Sequence, residues 1–356
     1  MRRVVMTLFV LLLLCGRVYA TESIPISTEN LQDGLNEEAL ELLPENAAQS
    51  TDFWTGCKDI FFGALRASFG SFRDGMKLCG ILLCVMTLCS VIDLSELKKK
   101  DTVLNLIGTL GISAAIMGTV RSMIGMATGM IEDMSTYGSF LLPALTSVTA
   151  MGGGISSAGA LYAGTVMFSQ LLLLLIRKLL MPLIYFYLAM ATAEAAMGND
   201  MLSELREFIG WVIAKSLRFF LYLFLAYMTI TGVISGTADA AAVKATKAAV
   251  SGMIPVVGSI LSDASESLLS GAAMMKNTIG VFGMLGVIAS CLIPILKVGL
   301  QYLLLKVTAA VGGTLGLPSQ VKLTKEFSKA MGYLLAMCAS EALFLLVGII
   351  CLMRVI

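Results

Sequence analysis

Between two strongly hydrophobic runs the chain reads GTADAAAVKATKAAVSGMIPVVGSILSDASESLLSGAAMMKNTIGVFGMLG, residues Gly236–Gly286. This stretch is too polar to cross a bilayer and too apolar to be a loop. Asp239, Lys244 and Lys247 interrupt its first half, and Asp263, Glu266 and Lys276 its second. Each such charge at mid-membrane costs roughly 2.5–3.5 kcal/mol even on the lenient insertion scale. From Gly258 onward, Ile260, Ala264, Leu268, Ala272 and Met275 keep the helical period, with Asp263, Glu266 and Ser270 facing elsewhere. Pro255 and Gly258 punctuate the middle, so the pattern predicts two helices joined by a turn. An amphipathic helical hairpin, residues 236–278, is therefore expected inside a membrane protein. Such an element packs on the spans, lies at the interface or lines a watery cavity.

The rest of the chain has the composition that reading requires. Of 356 residues, 57% are hydrophobic and 14% charged, against about 25% charged in a typical soluble domain. The class is integral membrane. A net charge of +1 offers no basic surface for nucleic acid. Histidine is absent, which removes the commonest general base and the commonest transition-metal ligand together. Eight cysteines remain. None forms a CxxC pair, and all but Cys15 and Cys57 fall in hydrophobic runs, where they read as small buried apolar side chains.

Met1 to Ala20 has the form of a secretory signal: Arg2-Arg3, an apolar core from Val4 to Cys15, and Val18-Tyr19-Ala20 before the cut. An uncleaved first span is the alternative. Residues 21–57 then carry Glu22, Glu29, Asp33, Glu37, Glu38, Glu41, Glu45 and Asp52 with no lysine or arginine before Lys58. Because lysine and arginine mark cytoplasmic loops, residues 21–76 are expected outside the cytoplasm. Within this arm Leu31, Leu35, Ala39, Leu42 and Leu43 suggest one short amphipathic helix. Phe62, Leu65, Phe69, Phe72 and Met76 suggest a second over Cys57–Met76, either interfacial or packed on the bundle.

Runs long enough for a core of about 30 Å follow in two groups, residues 77–235 and 279–356. They are Lys77–Asp93, Thr102–Val120, Gly159–Ile176, Leu179–Ala196, Ser216–Ser235, Ile279–Leu296, Val298–Leu317 and Met331–Met353. The expected fold is an all-α polytopic helical bundle of about six to eight spans. Lys98-Lys99-Lys100 is expected inside the cell, with Arg177-Lys178 and the Lys322, Lys325, Lys329 set on the same side, while Lys215 and Arg218 fit less cleanly. Labelling from outside tests this: a cysteine placed at Lys99 should react only after lysis, and reaction in intact cells would overturn the topology. Leu141–Gly154 is apolar but short and carries Pro143, so it is expected as a re-entrant piece, an interfacial piece or a full span.

No GxxxxGK[ST], GxGxxG after a strand, GxSxG or HExxH occurs, and the adjacent acids Glu37-Glu38 and Glu132-Asp133 read as polar surface. Neither catalysis nor a cofactor is expected. Small residues carry a better signal. Gly125–Gly129, Gly232–Gly236 and Gly312–Gly316 are GxxxG pairs, and Gly280, Gly283 and Gly286 recur every third residue. Such faces let helices approach closely, within one chain or between chains, including copies in a homo-oligomer. Glu341 sits near the middle of the last span and Lys306 within the preceding one. The two are a candidate intramembrane pair, serving a conduit or merely holding helices together.

The order GTAD, then lysines among small residues, IPVVG, LSDA and KNTIGVFG, together with LLPALTSVTAMGGG at Leu141–Gly154, resembles the stage III sporulation protein AE family of endospore-forming bacteria. The resemblance implies a role in spore formation after engulfment. It implies a complex joining mother cell and forespore through two membranes, acting as a channel or secretion-like apparatus. The implied partners are sibling stage III membrane proteins of the same operon and a forespore-side stage II protein. The implied location is the mother-cell-derived outer forespore membrane. A self-contained solute transporter with broken helices is the competing reading. Co-purification separates the two, since a transporter should behave alone.

Overall fold

The computed structural model describes residues 34–43, 53–94, 101–197, 200–253 and 258–355, with the side chains of 101–104, most of 232–272 and a few residues at helix ends outside that description. The signal segment, Lys98–Lys100 and the turn at Pro255 fall outside the described residues. Among the described residues there is helix and no strand: α1 (Glu37–Leu42), α2 (Phe53–Ala67), α3 (Phe69–Leu94), α4 (Asp101–Met151), α5 (Ile155–Leu175), α6 (Met181–Met197), α7 (Ser203–Met253), α8 (Gly258–Gly312) and α9 (Pro318–Arg354). A π-helical turn at Ile176–Leu180 joins α5 to α6 without interrupting them.

Six helices are long and apolar enough to cross a membrane: Phe69–Ile92, Asn105–Met151, Ile155–Met197, Ser203–Thr231, Ala273–Leu315 and Pro318–Arg354. Two expected pairs of spans are thus single helices. Arg177-Lys178 does not mark a turn, because the π turn absorbs the pair within a continuous helix and the exposed Arg177 holds Glu132 of α4 at 3.0 Å. Lys297 likewise lies inside α8, which also carries Pro294 through unbroken. A basic residue signals a membrane boundary only when it needs water at a loop. On a helix flank it reaches water or a partner without ending the helix.

Leu141–Gly154 is neither re-entrant nor irregular. Helix α4 passes through Pro143 and closes at Met151. The closure is a Schellman turn: Gly154 N–H donates to Thr149 O at 3.2 Å and Gly153 N–H to Ala150 O at 3.0 Å, with Gly153 at φ 99°. The three glycines are a helix stop. Both halves of the Gly236–Lys276 stretch are helical, and they are the ends of α7 and α8.

The long helices alternate in direction. At one end, Ser90 donates to Leu315 O (2.9 Å), Asn105 donates to Ala195 O (3.1 Å), and Arg206 reaches Glu194. This end carries Lys322, Lys325 and Lys329 and adjoins Lys98–Lys100 in sequence, and it is called the lysine end below. At the other end, Lys276 meets Val355, and Val355 also packs on Gly154. Helix α9 lies at the centre, with most of its side chains between Gln320 and Leu352 buried against α4, α5, α6, α7 and α8. Aromatic rings lock α5, α7 and α9 together, with Phe224 stacked on Phe344 at 4.3 Å and edge-on to Phe168 at 5.5 Å. Glycine permits the closest approach: a Cβ on Gly164 would stand 2.0 Å from the Tyr227 ring.

Helix α2 packs by its small side. Gly56, Ile60 and Ala64 are buried, whereas Phe61, Phe62 and Leu65, with Phe69 and Phe72 beyond the turn at Ser68, face away from the bundle. Gly56 abuts Leu285 and Gly75 abuts Leu304, so α2 and α3 run parallel to α8 rather than across it. The aromatic face expected to sit at an interface is therefore turned outward on a helix that also packs on the bundle.

Candidate functional site

The densest polar constellation is a buried charge cluster near the lysine end, where α6, α7 and α9 meet. Glu194 ends the apolar run of α6, Arg206 opens α7 and Glu326 lies two turns into α9. Arg206 Nε donates to Glu194 Oε2 at 2.7 Å, and its Nη1 stands 2.7 Å from Glu326 Oε2. The three side chains are only 2–7% exposed. The Tyr187 hydroxyl donates to Glu326 Oε2, and the Arg206 guanidinium lies 5.9 Å from the Tyr187 ring centre. Tyr333 closes the cluster edge-on to Tyr187 at 5.6 Å. From the more open side Lys322 holds Glu194 Oε1 at 2.6 Å and Lys329 donates to Glu326 Oε1 at 2.8 Å.

Arginine suits the central place because its planar fork serves two carboxylates at once and stays charged when desolvated. Two acids and three bases make the cluster locally cationic. A recess of about 410 Å³, lined by Gly313, Gly316, Leu317, Pro318, Val321, Lys322 and Lys325, opens beside it. Gly316 holds φ +76° there, the left-handed conformation that turns α8 into α9. Among the described residues no three His, Cys, Asp or Glu side chains gather to hold a metal ion.

Glu341 is fully buried in α9, deeper in the bundle. Its Oε1 accepts a hydrogen bond from Ser169 of α5, and its Oε2 makes none among the described residues. The pairing with Lys306 is therefore corrected. Lys306 lies on the exposed flank of α8, where its ammonium reaches the Tyr302 hydroxyl at 3.2 Å and sits 5.4 Å from that ring's centre. Glu341 projects instead toward α5. Neighbouring spans in sequence share an interface, but helical phase decides which side chains enter it.

Lys276, read as one of the hairpin's polar charges, is 8% exposed and donates to Val355 O at 2.6 Å. A cation thus caps the carboxyl end of α9, where the helix dipole and its unpaired carbonyls favour positive charge. Gly258 is the first residue of α8. Pro255 lies outside the described residues, as do the side chains of Asp239, Lys244, Lys247 and Asp263.

The glycine faces divide sharply. A Cβ on Gly280 would stand 2.4 Å from Met353 Sδ, on Gly283 2.7 Å from Leu141, and on Gly286 2.2 Å from the Tyr137 hydroxyl. Gly312 is closed in the same way by Met86 Sδ at 2.5 Å. These faces are used up within the chain, so of the two readings open for them, packing and partner contact, the geometry fits packing. Gly125 and Gly129 of α4 differ: among the described residues nothing lies within 4 Å of a Cβ on either, nor on Gly118 two turns away on the same helix.

The charge cluster was not anticipated from sequence, although a signal was there. Glu194 lies inside the apolar run Leu179–Ala196, an ionisable residue within a span by the same criterion that singled out Glu341. Arg206, in SELREF, sits among polar residues at the start of a helix, where a charge does not stand out.

No solved structure matches this chain. The stage III sporulation protein AE of Bacillus subtilis (strain 168) is 24% identical over 271 residues, covering 75% of this chain and 68% of that protein. The family model for stage III sporulation protein AE matches residues 44–355, which takes in every long helix, the buried charge cluster and Glu341. The chain therefore belongs to the stage III sporulation protein AE family, a family of sporulation proteins.

Proposed function

We propose that this protein is a multi-pass membrane component of the complex joining mother cell and forespore, and that it acts by assembly into a conduit rather than by catalysis. Its seat on this reading is the mother-cell-derived outer forespore membrane. Its partners are sibling stage III proteins and a forespore-side stage II protein. Family membership supports the sporulation role. The observation that favours assembly is the open glycine face of α4, where among the described residues nothing lies within 4 Å of a Cβ on Gly118, Gly125 or Gly129. Small residues left uncovered on a long helix permit close approach by another helix. Of the two interrupted segments that would suit a transporter, Leu141–Met151 is regular helix, and Ile254–Gly258 lies outside the described residues apart from Gly258.

The test has two parts. Deleting the gene should block sporulation after engulfment, and a normal spore yield with no redundant homologue would overturn the sporulation role. Gly125→Leu with Gly129→Leu should leave membrane insertion intact while reducing recovery of sibling stage III proteins from sporulating cells. Unchanged recovery would remove this face from the assembly. Glu341→Gln keeps the size of the side chain and its bond from Ser169, so stability should change by less than about 1 kcal/mol. A severe loss of spores in that variant would show that the carboxyl group serves the conduit. Near-normal spores would show that it only joins α5 to α9.

A further inference from the structure

The long helices are too long for one bilayer. At 1.5 Å per residue, the 43-residue segments Ile155–Met197 and Ala273–Leu315 each extend about 65 Å, roughly twice the 30 Å hydrocarbon core. Something must divide them, and five cations spread over five helices do so near one height, while the exposed Lys215 of α7 and Lys306 of α8 lie about 14 Å from the lysine end. The contacts of Ser90 with Leu315, Asn105 with Ala195 and Arg206 with Glu194 bring the helix ends to a common level at the lysine end. Measured from there, Arg73 on α3, Arg121 on α4, Lys178 in the π turn and Lys297 on α8 each lie about 24–27 Å up their own helix, and Arg218 on α7 about 18 Å. Four are exposed and Lys297 is half-buried. None is in a salt bridge among the described residues, where Asp74 and Glu132 are taken by Lys77 and Arg177. Helix α9, the sixth, is enclosed by the others and carries no exposed charge at that height.

We infer that this belt binds the anionic phosphate headgroups of a phospholipid leaflet, so that the bilayer covers only the tier between the belt and the lysine end. Three observations select that tier. Residues 78–92 of α3, 102–120 of α4 and 179–193 of α6 contain no charged residue, and their outward side chains include Ile81, Leu88, Leu110 and Phe186. Lys306, the one basic side chain exposed on α8 within this tier, turns its ammonium toward Tyr302, one turn nearer the belt, as a snorkelling lysine does. The opposite tier carries Glu37, Glu38 and Glu41 of α1 and Lys58, Asp59 and Arg66 of α2 exposed on its flank, charges that hydrocarbon would not accept. Tyr222 and Tyr302 lie at the belt, at about 24 and 20 Å, where amphipathic rings favour the headgroup layer.

The full chain, reconstituted in vesicles and carrying one spin label at a time on α4, tests the placement. A label at Leu110→Cys should lie in hydrocarbon, one at Arg121→Cys at the headgroup boundary, and one at Thr136→Cys in water. A Thr136 label as deep as the Leu110 label, or an Arg121 label at the bilayer centre, would overturn the proposal. For the ligand itself, the unlabelled protein should prefer phosphatidylglycerol over phosphatidylcholine in competition for bound lipid. Changing Arg121, Lys178 and Arg218 to glutamine should reduce that preference by more than about 10-fold, since each basic residue near an anionic surface contributes about fivefold. An undiminished preference in a variant that still inserts would overturn the headgroup assignment. The depth measurement does not depend on that variant folding.

Discussion

Arg206→Ala is expected to lower the stability of the detergent-solubilised protein by about 3–5 kcal/mol, the usual cost of removing one partner from a buried ionic network. The loss arises from what remains. Glu194 and Glu326 would stay almost fully enclosed, and Lys322 and Lys329, with side chains 37% and 53% exposed, approach each carboxylate only from the open side. Three helices meet at this point, so the loss should appear as a lower temperature of tertiary unfolding with helix content retained. A compensated triple change, Arg206→Met with Glu194→Gln and Glu326→Gln, should recover much of the loss, because neutral side chains of similar volume remove the desolvation cost together with the attraction. Near-UV circular dichroism on heating would decide it. An Arg206→Ala protein that unfolds with the native one would mean that the lysines alone satisfy both acids.

Gly286→Leu should be a comparably damaging single change. Even the first carbon of a side chain would stand 2.2 Å from the Tyr137 hydroxyl and 2.6 Å from its ring, and Tyr137 is fully buried between α4 and α8. Overpacking commonly costs about 1–3 kcal/mol. Here neither backbone nor ring has free space, so the upper end of that range or beyond is expected, read as loss of monodisperse protein after solubilisation. Gly286→Leu combined with Tyr137→Ala should restore yield, because the deleted ring vacates the volume the leucine needs. Gly129→Leu should behave as native when the protein is purified alone, since nothing lies within 4 Å of that site. Equal damage at Gly286 and Gly129 would contradict the packing described for both.

Much of this molecule was legible before any coordinate. Hydropathy alone specifies a helical membrane protein, because a backbone in hydrocarbon must satisfy its own hydrogen bonds and only helix does so segment by segment. The Gly236–Gly286 stretch reads correctly as helix on both sides of Pro255, since the 3.6-residue period survives its charges. The order of helices from Phe53 to Arg354 follows the hydrophobic runs, but not every boundary: the helix expected over Cys57–Met76 breaks at Ser68, Thr102–Val120 and Leu141–Met151 belong to one helix, and Arg177-Lys178 and Lys297 lie on helix flanks rather than in loops.

What sequence could not convey is azimuth and partnership. Glu341 was visible as a charge within a span, but its bond to Ser169 depends on the rotation of α9 against α5, helices whose paired residues lie 172 positions apart. Lys276 reads in sequence only as a charge interrupting the hairpin, and its burial follows from the end of α9 coming to rest against it. Gly286 and Gly129 are the same residue type in similar patterns, and only the arrival of Tyr137 at one and of nothing at the other distinguishes them. The cluster of Glu194, Arg206 and Glu326 required three helix ends to converge. Local periodicity determines that a helix forms and which residues share a face. Which face meets which neighbour depends on packing summed over the whole bundle, a long-range property that no window of the chain contains.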